Sequence, residues 1–189
     1  MKRIITFIAL ALIGLSANAQ NLKFAHVNFQ ELVQLMPEMD SARVQSEVAN
    51  NEAQETYQAM VQEFQTKYQQ FEQKQATWTP AVRESKQREL GEIQNRIQEF
   101  EQAIQQDMQQ LQNTLMAPIY KKAQDTVAKM AKEKGFIYVF DASTILYVDA
   151  TQSTDITKDA RAVLGIPEGR TMETLQAELQ AKAQAAQVQ

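Results

Sequence analysis

The chain has 189 residues, with 23 acidic against 19 basic side chains, a net charge of −4, one His and no Cys. That length suits one domain, and the lack of Cys excludes disulfide staples and thiol chemistry. The acidic balance argues against nucleic acid as a partner, because phosphate binding needs a basic face.

At the N-terminus, Lys2 and Arg3 precede an apolar run over residues 4–15, and Ala17-Asn18-Ala19 puts small residues where signal peptidase reads. The run is shorter than the roughly 20 residues that a membrane-crossing helix needs, and no Cys follows it to carry a lipid. Residues 1–19 are therefore expected to be a signal peptide cleaved after Ala19. Without Lys2 and Arg3, the mature chain has 17 basic and 23 acidic side chains, a net of −6.

Residues 22–29 (LKFAHVNF) form a strand candidate, and residues 31–36 a brief helix stopped by Pro37. Between residues 41 and 117 the only breakers are Pro80 and Gly91, in a stretch rich in Gln, Glu, Ala and Lys, which tolerate helix well. Tyr57, Val61, Phe64, Tyr68, Phe71 and Trp78 follow a heptad seam, with Gln75 in the one missing place. Leu90, Ile93, Ile97, Phe100 and Ile104 repeat it, and Met108, Leu111 and Leu115 continue after a stutter. Two helices thus meet at Trp78-Thr79-Pro80, with Thr79 as N-cap and Pro80 at the first helical position. The arms, 41–78 and 80–117, match in length, which predicts an antiparallel hairpin about 57 Å long. Pro118 is expected to kink the returning helix without ending it, since residues 119–134 keep good helix formers.

After Gly135, a C-cap candidate, residues 136–140 (FIYVF) and 145–148 (ILYV) read as strands covered on both faces, joined by a turn at 141–144. Asp155 or Thr157 can cap a short helix that runs through Leu164 and closes at Gly165 and Pro167. The Ala- and Gln-rich residues 168–189 carry no apolar stripe and read as a frayed helix or disordered tail. The body, residues 20–40 and 118–167, thus holds three short strands, too few to hide their edges, so an obligate oligomer sharing the sheet is expected. Its candidate residues are Phe24, Val27, Phe136, Tyr138, Val139, Phe140, Ile145, Tyr147 and Val148.

Catalytic chemistry finds no support. His26 is the only His and lies in a strand candidate. Asp141, Asp149 and Asp155 stand at strand ends and a helix start, where turn and capping duty explains them. No metal-ligand spacing and no nucleotide loop occurs, so neither an enzyme nor a cofactor, metal or nucleotide partner is expected.

An apolar helical stripe is usually core, and most of the seam should face the partner arm. If Trp78 lies opposite Ala81, outgoing and returning positions add to roughly 159. The polar segment 47–54 then faces Ile104 and Met108, a loose place where Met suits adaptable contacts. Met60, Trp78, Ile104, Met108 and Met116 are therefore the candidate residues for contacting a client.

The blocks KFAHVNFQELVQLMPE at residues 23–38, YVFDAS at 138–143 and DIT at 155–157, in this order around a helical hairpin, resemble the Skp (OmpH-like) periplasmic chaperones. The resemblance covers nearly the whole mature chain. It implies a mainly α fold with a small β part, in which long coiled-coil hairpins project from a β-barrel body shared by a homotrimer. It further implies a periplasmic holdase, independent of ATP, for unfolded outer-membrane proteins. One departure is electrostatic. Well-known members have basic arms, whereas residues 41–117 here carry seven basic and eleven acidic side chains, a net of −4. No membrane or lipopolysaccharide site is carried over. The rival reading is a structural or adaptor protein of the envelope that uses the hairpin as a docking rod.

Overall fold

The computed structural model describes residues 22–187, so the expected signal peptide and its cleavage site lie outside the described residues. Strand β1 (Phe24–Val27) is followed by helix α1 (Phe29–Leu35). Asn28 caps α1: its Oδ1 accepts from the Glu31 amide at 3.1 Å while its Nδ2 donates to the Glu31 carboxylate at 3.1 Å.

Helix α2 spans Pro37–Lys74. Pro37, expected to be a stop, instead starts it. The preceding Met36 is extended (φ −61°, ψ 141°), as a residue before proline must be, so the chain turns there and Pro37 takes the first helical position. The helix also ends before Trp78, where the sequence reading had placed its end. The Thr77 amide and hydroxyl both bond the Lys74 carbonyl, at 2.9 and 2.8 Å, which closes a turn and lets Trp78 fold back edge-on to Phe71 (5.9 Å).

Helix α3 (Pro80–Lys134) has Thr79 as N-cap, accepting from the Val82 amide at 3.4 Å, and Gly135 in the left-handed region (φ 72°) as C-cap. It runs on through Pro118. Glu38–Lys122, Glu63–Arg96 (3.2 Å) and Lys67–Glu89 pin it to α2. These pairs lie within a few positions of a register adding to about 159. Between residues 43 and 117, Ile93 alone is buried (2% exposed) among the described side chains.

The body closes with β2 (Tyr138–Asp141), a 3₁₀ turn (Ala142–Thr144), β3 (Ser153–Asp155), α4 (Thr157–Val163) and α5 (Met172–Gln187). The three strands form an all-parallel sheet in the order β2-β1-β3, so the hairpin is the crossover between two neighbouring strands. The sheet does not close into a barrel within one chain. The apolar run 145–148, expected as a strand, is extended but unpaired, and β3 comes instead from the polar segment after it. The reason is pairing: Ser153 lies opposite Phe24 and its hydroxyl meets His26 Nδ1 at 2.9 Å, whereas no strand of the chain flanks 145–148.

One face of the sheet is buried. Ala25 and Val27 point into a core with Leu32, Val33, Leu35, Met36, Ile119, Ala123, Ile156 and Leu164. The tail, expected as frayed helix or disorder, is α5, and it docks by burying Leu175 in this core (4% exposed).

Candidate functional site

Two surfaces stand out. The first is a cleft of about 630 Å³ at the base of the hairpin. From α2 it takes Met39, Ala42, Arg43, Ser46, Glu47 and Asn50; from α3, Met108, Leu111, Leu115 and Met116; from α5, Leu179. Its origin is local. Where α2 presents Ser46, Glu47 and Asn50, the seam has no apolar partners for the α3 residues opposite, and the helices leave a gap between them. Arg43 is not free to fill it: its guanidinium donates to Asp40 (3.0 Å) and to the Gln34 carbonyl and amide oxygens (2.9 and 2.8 Å). Lys122, bonded to Glu38 near the cleft, holds that carboxyl below the usual carboxylate range.

The cleft gathers Met108 and Met116 from the five residues expected to contact a client. It does not gather the others. Met60 and Ile104 are half-buried further along the hairpin, and Trp78 packs on Phe71 at the tip. Sequence reasoning missed Met39, Leu111, Leu115 and Leu179 as lining residues. The heptad assigned two of them to the closed seam, and nothing local points Leu179 at the hairpin. On the neighbouring face of α3, Gln102, Gln105, Gln106, Gln109, Gln110 and Asn113 form a shallow amide-lined groove. Apolar side chains fit the cleft, and main-chain amides fit the groove beside it.

The second surface is the outer face of the sheet. Strand alternation turns Phe24, Tyr138 and Phe140 outward: Phe24 stacks on Tyr138 (6.3 Å), which meets Phe140 (5.9 Å). Beside them Phe24, Phe140, Ile145, Tyr147 and Val148 line an apolar groove of about 400 Å³. Tyr138 is 59% and Tyr147 80% exposed, so the covering expected on both faces is missing from a single chain. Val27, Phe136 and Val139, grouped with them from the sequence, belong instead to the chain's own core or pack against it.

The polar candidates have structural partners. His26 Nε2 lies 3.9 Å from Asp155, and Asp155 accepts from the Thr157 amide at 2.8 Å, ahead of α4. Asp141 accepts from the Ser143 amide at 3.0 Å. Asp149 accepts from the Thr151 amide and hydroxyl (2.8 and 2.7 Å), which holds its carboxyl below the usual range. Among the described residues no helix is long and apolar enough to cross a membrane.

Two relatives share this length of chain. Chaperone protein Skp of Yersinia enterocolitica is 28% identical over 144 residues, 76% of this chain and 87% of that protein. Chaperone protein Skp of Pectobacterium atrosepticum is 27% identical over 137 residues, 72% and 82% respectively. Residues 23–164, from just before β1 to the end of α4, match the family described as Outer membrane protein (OmpH-like), and the chain belongs to that family.

Proposed function

We propose that this protein is a periplasmic holding chaperone that works without ATP, binds unfolded outer-membrane proteins as a homotrimer and prevents their aggregation. The observation that carries the reading is the open base cleft, with Met108 and Met116 facing a polar wall on α2. A binding site of that kind accepts many apolar side chains and is specific for none, as an unfolded chain requires. Many such weak contacts, repeated on three hairpins around a shared cavity, hold a client without tight binding at any one point. The uncovered aromatic face of Phe24, Tyr138 and Phe140 supports the shared body, because an exposed apolar sheet face calls for a partner surface. The two Skp relatives support the chaperone class.

The test dilutes an unfolded outer-membrane β-barrel into the mature chain without nucleotide, following light scattering, with absolute mass measured in parallel. Suppressed aggregation, a three-chain mass and a soluble complex are expected. Met108→Gln with Met116→Gln should weaken holding roughly three- to tenfold, the value of about a kilocalorie of lost apolar contact. Unchanged aggregation by an intact trimer would favour the docking-rod reading and sink this one.

A further inference from the structure

The chain continues past residue 164, where the family match ends, and the continuation forms α5. Its beginning is fixed firmly. Ile166 and Leu175 are buried in the body core. Arg161 donates to the carbonyls of Pro167 (3.2 Å) and Arg170, and Arg170 donates to Asp40 of α2 at 2.5 Å. The Thr171 hydroxyl accepts from the Thr174 amide at 3.2 Å and caps the helix.

Past Leu175 the anchoring changes. Residues 176–185 are all exposed, and their composition is mostly Ala and Gln. Leu179, one turn beyond Leu175 on the same helix face, is the only α5 side chain lining the base cleft, and it remains 42% exposed. The helix is therefore locked at one end and rests on a single leucine at the other.

We propose that α5 is a tethered lid on the base cleft, anchored at Leu175 and closing through Leu179, which apolar side chains of a client displace. This consequence for clients rests on the holding function proposed above. A helix end held by one half-exposed apolar contact opens locally while its latched end stays docked. The tether keeps the closing leucine at high local concentration, so the lid competes with weak ligands and yields to a chain that offers many contacts. Closed, it shields Met108, Leu111 and Met116 when no client is present, limiting adhesion between copies through this patch.

The test uses two variants of the mature chain: one ending at Gln176, which keeps Leu175, and full-length Leu179→Gln, which keeps the helix. The probes are an environment-sensitive anilinonaphthalene dye and an unfolded outer-membrane β-barrel. Both variants should bind the dye roughly three- to tenfold more tightly than the parent, with helicity and mass unchanged apart from the deleted turns. Adding Met108→Gln should remove the gain. Dye binding equal to the parent in both variants overturns the lid, as does a gain that survives Met108→Gln. A dye gain that Met108→Gln removes, without better client holding, establishes the lid and counts against the cleft as the holding site.

Discussion

Lys67 of α2 donates across the hairpin to the Glu89 carboxylate of α3, and Lys86, three residues before Glu89, donates to the same carboxylate at 2.7 Å. The two ammonium groups hold the Glu89 carboxyl at about 2, well below its ordinary value of 4.5. The direction fixes the sign of the pH dependence. A depressed folded-state pKa contributes stability that is full above the unfolded value and lost as pH falls through the folded one. The Glu38–Lys122 pair at the hairpin base acts in the same direction.

Hairpin stability should therefore vary little between neutral pH and about pH 5, then decline as Glu89 takes up its proton on the way to about pH 2. Because these side chains are largely in solvent, Glu89→Gln should lower the melting temperature at neutral pH by only about 1–4 °C. That deficit should vanish near pH 2, where the parent has lost the same interaction. Circular dichroism melts across the range provide the check, and a deficit that persists in acid would contradict it.

Core substitutions should separate arm from body. Leu32→Ala removes a fully buried side chain from the body core and should cost about 3–5 kcal/mol. Ile93→Ala empties the one buried position of the arms, where two helices can close on the gap, and should cost about 2 kcal/mol. Urea unfolding at fixed protein concentration measures both, with the larger loss expected at Leu32.

The outer sheet face offers a test of assembly. Tyr138→Asp with Phe140→Asp places two charges on an aromatic surface whose side chains support nothing else within the chain. The parent should have a three-chain mass and the variant a single-chain mass, with the helical signal of the hairpin kept in both. A single-chain parent would remove the basis for a shared body.

Salt dependence tests how the arms hold a client. Residues 41–117 carry a net charge of −4, from seven basic and eleven acidic side chains. Apolar and amide contacts are left as the main attraction, so affinity for an unfolded β-barrel should change by less than about threefold between roughly 0.05 and 0.5 M salt. A steep fall with salt would mean that the scattered Lys and Arg residues dominate instead.

Local signals made most of the hairpin legible. Seam periodicity placed both arms, Thr79-Pro80 marked the tip, and Gly135 marked the end of α3, because caps and heptads depend on near neighbours in sequence. The same arithmetic set the register and found the loose stretch between α2 and Met108. Pro37 misled because a proline signals a break without saying on which side the longer helix lies.

What the tertiary structure decided involves partners distant in the chain. The apolar run at 145–148 has better strand composition than Ser153–Asp155, yet the latter pairs, because β1 supplies its ladder and the His26–Ser153 bond bridges 127 positions. The continuous apolar sequence 136–140 hid an alternation that pairing with β1 imposes, turning Val139 inward and Tyr138 and Phe140 outward. The tail shows no amphipathic stripe, so its docking rests on one buried leucine and the Arg170–Asp40 bond, which spans 130 positions. Sequence by itself determined the helical hairpin, since its seam and caps lie within a few residues of one another. The third strand, the outward aromatic face and the closing of α5 over the cleft were decided only by folding, because each depends on a surface assembled from both ends of the chain.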